Sequence, residues 1–225
     1  MIDILSRYDV LGAFWMTVQL TLFSAIGSLI IGTILVIMRV SPVAVLRNLG
    51  AFYVNVVRNT PLTLILVFLS VAVFGVLGYA LATRGESGFI ATNAFRWAVI
   101  GLSVYHAAFV CEALRSGVNT VPLGQAEAAR AIGLTFAQSL REVILPQAFR
   151  GAIAPLGSVL IALTKNTTVA AIIGVSEAAA LMRAIMENET GSVVVFFIFA
   201  LGFVILTLPI GVGFTSMSRR LAVKR

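Results

Sequence analysis

The sequence predicts an all-α integral membrane protein of five transmembrane helices, with its N-terminus outside and its C-terminus inside the cell. Of its 225 residues, 60% are hydrophobic and only 11% are charged, whereas a soluble domain is about half apolar and a quarter charged. Five long apolar stretches supply the spans, and basic residues concentrate in alternate connections between them. On so apolar a chain, a formal charge of +7 indicates basic membrane loops rather than a nucleic-acid-binding surface.

Each of the five stretches has the length that a helix needs to cross a bilayer, which is about 20 mostly apolar residues. They are residues 11–38, 60–82, 95–114, 151–173 and 193–214. The first is too long for the core of a signal peptide and lacks a basic leader, so we expect it to be retained. Because no internal repeat or linker divides the chain, residues 1–225 are interpreted as one membrane domain.

The charges of the connections set the predicted orientation. If the N-terminus is outside, most basic residues lie in inner segments: Arg39, Arg47, Arg58, Arg115, Arg130, Arg141, Arg150, Arg219, Arg220, Lys224 and Arg225. The outer segments hold only Arg7, Arg84, Arg96 and Arg183, while Lys165 falls within a span. Inner loops of membrane proteins carry an excess of Lys and Arg, so this asymmetry favours an outer N-terminus and an inner C-terminus.

The sequence offers little material for catalysis. One cysteine, Cys111, and one histidine, His106, exclude an intrachain disulfide, a zinc site built of several thiolates and two-histidine metal motifs; both residues fit best as packing residues. No phosphate-binding Gly-x-x-x-x-Gly-Lys-Ser/Thr run is present, so ATP-driven transport would need an ATPase on another chain. We therefore expect no catalytic residue, no metal and no cofactor bound by this chain.

The inner connection at residues 115–150 predicts a first short helix. Asn119 or Thr120 would cap a helix that begins around Pro122, and Gly133 would end it in a left-handed conformation. One small, smooth face would be formed by Ala128, Ala129 and Ile132. Periodicity leaves two interpretations of this helix: it docks in a groove of a partner protein, or it lies on the lipid headgroups.

A second helix is predicted directly after the glycine. Thr135, followed three residues later by Gln138, has the form of a capping box. This helix would carry an apolar face and stop near Pro146. The apolar face would consist of Leu140, Val143 and Ile144.

The same connection carries a family resemblance. Glu127-Ala128-Ala129, then Gly133, then Val143-Ile144-Leu145-Pro146 resembles the EAA signature of ATP-binding-cassette importer permeases, which usually has Ile at the position of Val143. The resemblance implies the type I permease fold, in which a cytoplasmic coupling helix inserts into the ATPase subunit. It assigns ATPase coupling to Gln125, Glu127, Ala128, Ala129, Arg130 and Gly133, with Glu127 orienting this region through Arg130.

Other segments resemble the polar amino-acid branch of those permeases. The segments are residues 14–21, Arg58-Asn59-Thr60-Pro61, residues 112–117 and Lys165-Asn166-Thr167-Thr168. The second and fourth are similar to their counterparts in the glutamate-uptake permeases of actinobacteria. This resemblance implies a permease subunit of an ATP-driven importer in a bacterial plasma membrane. L-glutamate is the expected substrate, and glutamine, aspartate or another polar amino acid is the alternative.

The resemblance also implies partners. They are two ATPase subunits that bind ATP and Mg, a second permease subunit that is expected to be a different chain, and an extracytoplasmic substrate-binding protein. The chain itself is expected to lie in the lipid bilayer, to bind no nucleic acid and to have no ATPase site of its own.

Polar residues at membrane depth are costly, so they mark candidates for a substrate pathway. The candidates are Arg58, Thr60, Tyr105, Glu112, Arg115, Lys165, Asn166, Thr167 and Thr168. An arginine is the usual partner of a carboxylate, although Glu112 and Arg115 could instead pair with each other on one helix face. Glu177 is expected to be a loop or gate residue.

The hypothesis about the substrate rests on Asn166. Many members of the branch have an acid at this position, and the neutral amide would suit a substrate with an anionic side chain. An acid would favour cationic or neutral amino acids.

Two other classes of membrane protein fit the sequence less well. A passive channel would need a ring of charges or a carbonyl-rich filter, and a membrane enzyme would need a Gly-x-Ser-x-Gly elbow or a metal cluster. None of these four features is found in the sequence. A scaffold subunit without its own transport path stays open as an alternative.

Overall fold

The computed structural model describes residues 7–189 and 192–221, which form helices and no strand. The helices are α1 (Val10–Val40), α2 (Ala44–Arg58), α3 (Leu62–Val67), α4 (Phe89–Val118), α5 (Leu123–Ala131), α6 (Phe136–Gln138), α7 (Leu145–Asn166), α8 (Ala178–Asn188) and α9 (Ser192–Leu221). The π-helical segment Phe68–Val76 extends α3, the π-helical segment Ser139–Ile144 joins α6 to α7, and the 3-10 segment Thr167–Ile173 extends α7. Lys224 and Arg225, two of the predicted inner charges, lie outside the described residues.

Within these residues, four helices are long and apolar enough to cross a membrane, and a bent pair makes a fifth if it is one span. The helix predicted over residues 60–82 is shorter than expected, because it runs from Leu62 to Val76, and the helix α2 that forms the bent pair with it was not predicted. α2 and the extended α3 meet at an angle of 99°, with the break at Asn59, Thr60 and Pro61. Proline has no backbone N–H and disfavours a helical conformation in the residue before it, so the chain turns there.

The prediction that a helix stops near Pro146 is also wrong. A single helical run of 38 residues, Phe136–Ile173, passes through this proline. Pro146 lies in the first turn of α7, where a missing N–H is tolerated, directly after the π-helical segment. The Gln147 side chain, one residue on, donates a hydrogen bond to the Val143 carbonyl at 2.9 Å. The predicted span at 151–173 is therefore the second half of a longer helix.

Contacts between the long helices fix their relative directions. α1 and α4 are parallel, because Ser103 donates to the Ser24 carbonyl at 3.4 Å and the later residues Arg39 and Glu112 also meet. α4 and α7 are antiparallel, because Gly117 packs against Ala148, near the start of α7. A Cβ at Gly117 would overlap the Ala148 carbonyl oxygen, so only glycine permits this close approach.

α9 runs antiparallel to α7, since Gly157 packs against Phe214 and Ile161 against Gly211. The C-terminal ends of α1, α4 and α9 therefore meet the start of the α6–α7 run at one end of the bundle, where α5 also lies. We call this the α5 end. It gathers basic residues that the sequence placed in inner segments, among them Arg39, Arg115, Arg150, Arg219 and Arg220.

The centre of the bundle is α4. In its most apolar 18-residue window 67% of the residues are buried, against 11% in the corresponding window of α9. α4 packs on α1, α2, α3 and α7, and its polar residues Asn93, Ser103 and His106 are buried among them.

Candidate functional site

A carboxylate near the α5 end of α4 lies between two guanidinium groups. Glu112 forms an ion pair with Arg39 of α1, and its Oε1 lies 3.9 Å from Nη1 of Arg58 at the end of α2. The Arg39 side chain is 11% exposed and the Arg58 side chain 45% exposed. Tyr53 ties α2 to α4 by donating to the Val104 carbonyl at 2.8 Å. We call Arg39, Arg58 and Glu112 the Glu112 cluster.

The cluster corrects the idea that Glu112 and Arg115 pair on their own helix. The two residues are three apart, as such a pair requires, but Glu112 turns toward α1 and α2, while Arg115 is exposed. A carboxylate this close to the core is satisfied by the partly buried Arg39, because the attraction between opposite charges is larger away from water.

A second polar contact lies deeper along the same helix. His106 of α4 and Asn166 at the end of α7 approach each other, with 3.2 Å between Nε2 of the imidazole and Nδ2 of the amide. His106 is 1% exposed. It stands 12 residues from the α5 end of α4 at Val118, or about 18 Å along the axis. The interpretation of His106 as a packing residue is therefore incomplete, because its ring also bonds a pathway candidate.

Aromatic rings connect the two polar groups. Phe109 lies between them on α4: the guanidinium carbon of Arg58 is 5.8 Å from its ring centre, and the His106 ring is 5.9 Å away. The ring of Tyr105, a pathway candidate, lies 5.1 Å from that of Phe109 in a tilted arrangement and 5.3 Å from that of His106 edge to face. Phe109 and His106 thus join four predicted candidates, Arg58, Tyr105, Glu112 and Asn166, although sequence reasoning assigned neither to the pathway. The one available signal was spacing, since residues 105, 109 and 112 share a helix face.

The other candidates make contacts within their own helices. Thr60 donates to the Val56 carbonyl at 2.9 Å, Thr167 to the Thr164 carbonyl at 2.8 Å and Thr168 to the Lys165 carbonyl at 2.8 Å. Lys165 and Arg115 are exposed. Among the described residues no ion pair or side-chain hydrogen bond joins either charge to the Glu112 cluster or to the His106–Asn166 pair.

A cavity of about 450 Å³ lies between α1, α4, α7 and α9. Arg150 is the one charged residue of its lining, and none of the pathway candidates borders it. A zwitterion needs donors for its carboxylate and acceptors for its ammonium group, and apart from Arg150 and Ser28 the lining of this cavity is apolar. The polar residues between α1, α2, α4 and α7 are therefore the candidate substrate site.

The predicted helix and glycine corner at residues 115–150 are present. α5 ends at Ala131, and Gly133 has φ +85°, as predicted. The N–H of Gly133 bonds to the Arg130 carbonyl at 3.0 Å, and that of Leu134 bonds to the Ala129 carbonyl at 3.1 Å, which completes a Schellman motif. The capping box of Thr135 and Gln138 is also formed.

α5 begins next to Pro122, as predicted, but its predicted cap needs a correction. Pro122 itself is the N-cap, without a side-chain cap. Asn119 instead ends α4, and Thr120 donates back to the Gly117 carbonyl at 2.7 Å. Both residues are used by the C-terminus of the long helix before α5 begins.

The surface of α5 is divided between inward and outward residues. Ala129 is 3% exposed and packs toward the rest of the chain, whereas Ile132 is 78% and Leu123 82% exposed. The predicted smooth face is therefore wrong in part, because Ala129 does not share the outward surface of Ala128 and Ile132. The remaining coupling candidates, Gln125, Glu127, Arg130 and Gly133, are exposed. Arg130 donates from Nε to the Ala126 carbonyl at 3.3 Å, and no ion pair with Glu127 is formed.

Glu177 is a structural residue in this fold. It is fully buried, and its carboxylate caps α8 by accepting hydrogen bonds from the N–H groups of Ala179 and Ala180 at 2.9 and 2.8 Å. Burial raises the pKa of this carboxyl, while the two N–H groups act in the opposite direction. Glu177 thus lies in a loop, as expected, and its role there is to cap α8.

Comparison with known proteins identifies the family of this bundle. The sequence model of binding-protein-dependent transport system inner membrane components matches residues 28–223. The chain belongs to this family. As an inner membrane component of such a system, it is a multi-pass protein of the bacterial plasma membrane, and its family membership implies an ATPase and a substrate-binding protein as partners.

The curated relatives of this inner membrane component cover nearly its whole length. It is 56% identical over 218 residues to the glutamate transport system permease protein GluC of Corynebacterium efficiens, and the match covers 96% of each chain. The protein of the same name from Corynebacterium glutamicum is 57% identical over 218 residues, again with 96% of each chain covered.

A solved structure has a similar fold. The crystal structure of an amino acid ABC transporter with histidines matches this inner membrane component with a TM-score of 0.76 at 25% identity, covering 94% of this chain and 93% of that chain.

Proposed function

We propose that the chain is the permease subunit of an ATP-driven importer that carries L-glutamate into the cell. The observation that carries this proposal is the identity of 56–57% over 96% of the chain to two permease proteins of glutamate transport systems. The polar residues between α1, α2, α4 and α7 can bind an amino acid, because they combine guanidinium groups for a carboxylate with neutral acceptors for an ammonium group.

The exposure of the Glu112 cluster supports a second permease subunit. The side chains of Arg58 and Glu112 are 45% and 33% exposed on the surface of this single chain. Charged groups that face lipid at membrane depth are expensive, so this surface needs another subunit or a hydrated pathway to cover it. A partner permease, expected to be a different chain, would enclose the pathway against α2 and α4.

α5 is proposed as the coupling helix, on the cytoplasmic side, with the N-terminus of the chain outside. Pro122 and the Schellman motif at Gly133 limit it to a short rigid body, and its exposed Leu123 and Ile132 provide apolar contact area for a groove of the ATPase. Closure of two ATPase subunits on ATP and Mg would pull α5, and the continuous helix from Phe136 to Ile173 would transmit the movement.

The orientation is tested by labelling with a membrane-impermeant thiol reagent. Gly124→Cys places a thiol on the exposed side of α5, where a Cβ meets no atom within 4 Å. In a Cys111→Ala background, we expect modification in inside-out vesicles and protection in intact cells. Modification in intact cells would reverse the orientation and remove the coupling role.

The function is tested by reconstitution in liposomes. The chain is combined with its candidate ATPase, second permease and binding protein, and ATP hydrolysis and uptake are measured with each amino acid. We expect glutamate to give the largest stimulation. A larger response to glutamine or aspartate would replace the substrate and keep the class, whereas uptake without ATP would support a passive channel.

A further inference from the structure

We propose that His106 is a positioning residue for substrate recognition: its imidazole orients the Asn166 amide so that the amide oxygen is free to accept a hydrogen bond from the substrate ammonium group. This inference rests on the proposed transport function. The observation behind it is the partly buried contact of 3.2 Å between Nε2 of His106 and Nδ2 of Asn166.

The atoms in contact determine which groups stay available. Nδ2 of an amide only donates, so in this arrangement Nε2 of His106 accepts and the proton lies on Nδ1, which has no hydrogen-bond partner among the described residues. With Nδ2 held by the imidazole, Oδ1 of Asn166 points to a different partner. Among the described residues, Oδ1 accepts no hydrogen bond, although Asn166 is only half-buried.

An amide oxygen accepts hydrogen bonds, so its partner must be a donor such as an ammonium group. The backbone carbonyls of the last turn of α7 are already used, because the helical run continues as the 3-10 segment and the N–H of Thr167 bonds to the Leu163 and Lys165 carbonyls. The hydroxyls of Thr167 and Thr168 are already donated to carbonyls of their own helix. Oδ1 therefore provides a neutral acceptor, without the negative charge that would repel an anionic side chain.

Without the imidazole, the amide would be free to turn. An asparagine that offers Nδ2 instead of Oδ1 meets an ammonium group with a donor, which removes a hydrogen bond and adds repulsion. His106 acts through Asn166 in this arrangement, because the ring is 1% exposed and buried within the helix packing.

The test is a binding measurement on the permease complex with its ATPase, in nanodiscs and without the binding protein. The dissociation constant of radiolabelled glutamate is measured for the wild type, His106→Leu, Asn166→Ala and the double variant. We expect each single variant to raise the constant about tenfold, the effect of losing one oriented hydrogen bond. The double variant should bind no more weakly than either single variant, because both changes remove the same interaction.

Two further variants separate positioning from packing. His106→Gln keeps an acceptor for the Asn166 amide and should stay within about threefold of the wild type. Ser103→Ala removes a buried polar group of α4 three residues away, one that bonds to the Ser24 carbonyl, and should leave glutamate binding unchanged. If His106→Leu does not assemble, His106→Asn replaces it, because its shorter side chain cannot reach Asn166.

Additive effects in the double variant, or unchanged binding in His106→Leu, would overturn the positioning role. Glutamate transport by the wild type without measurable glutamate binding to the complex would also overturn it, and would leave the proposed function intact. Absence of any glutamate transport by the wild-type complex would instead reject the function on which the inference rests.

Discussion

Two groups of polar side chains lie along α4 and use different chemistry. The Glu112 cluster contains one carboxylate and two guanidinium groups, whereas the His106–Asn166 pair is neutral. Glu112 follows His106 by six residues, or about 9 Å along the helix. The charged group lies nearer the α5 end, and the neutral group lies nearer the middle of the bundle.

This difference follows from the cost of charge in a membrane. An ionised group is tolerated near the polar surface when a partner neutralises it, and its cost rises toward the centre of the bilayer. The protein accordingly places paired charges near the α5 end and hydrogen-bonding neutral groups deeper. Adding a charge to the His106–Asn166 pair should therefore mainly affect substrate uptake. Removing a charge from the Glu112 cluster should mainly affect the stability of the fold.

The largest effect is expected when the buried partner of Glu112 is removed. Arg39→Met keeps most of the side-chain volume but leaves the carboxylate without its close guanidinium. We expect a loss of about 2 kcal/mol in the free energy of unfolding, because the ion pair is partly buried and its removal leaves the carboxylate with only the more distant Arg58. The measurement is unfolding of the purified protein by SDS titration in mixed micelles.

Arg58→Met is the matched control for this change. Its guanidinium is 45% exposed and lies 3.9 Å from the same carboxylate oxygen, so its removal should cost below about 1 kcal/mol. Equal losses of unfolding free energy in the two variants would mean that Arg39 and Arg58 stabilise the Glu112 carboxylate equally. That result would contradict the expected difference between the less exposed and the more exposed partner.

The next effect concerns a charge added to the neutral pair. Asn166→Asp places a carboxylate beside His106 and Lys165, where it should repel a substrate with an anionic side chain. We expect glutamate uptake by the reconstituted complex to fall about tenfold, equivalent to about 1.4 kcal/mol. The uptake of neutral or cationic amino acids should rise relative to that of glutamate. Uptake of each amino acid is measured in liposomes.

Asn188→Asp makes the same chemical change at an exposed position of α8, where the amide donates to the Ala184 carbonyl, and should leave uptake unaltered. Unchanged glutamate uptake in Asn166→Asp would remove Asn166 from the specificity argument.

Local signals explain why the inner connection could be predicted from the sequence. A left-handed residue at Gly133 and the Thr135–Gln138 box depend on residues within a few positions, and both are present. Apolar length likewise predicted the long spans, although the N-cap of α5 and a helix stop near Pro146 were predicted wrongly. In both errors a neighbouring helix extends further than a single local stop signal indicates.

Partners on other helices were not predictable in the same way. The spacing of Glu112 and Arg115 shows that they share a helix face, but it does not show that α1 and α2 bring Arg39 and Arg58 to the carboxylate. His106 gave no sequence signal of its contact, because Asn166 is 60 residues away. Candidate residues could be named from their polarity, whereas their partners depend on how α1, α2, α4 and α7 pack.

The smallest effect is expected at Thr167, which follows Asn166 and was a candidate for the same pathway. Its side chain is fully buried, and its hydroxyl donates to the Thr164 carbonyl within the same helical run. Thr167→Val keeps the shape of the side chain and removes that bond, so we expect a cost below about 1 kcal/mol in SDS unfolding. Because the hydroxyl is already used by its own helix, glutamate uptake should change less than twofold. A loss of uptake comparable to that of Asn166→Asp would place the hydroxyl in the pathway and extend the neutral site by one residue along the 3-10 segment.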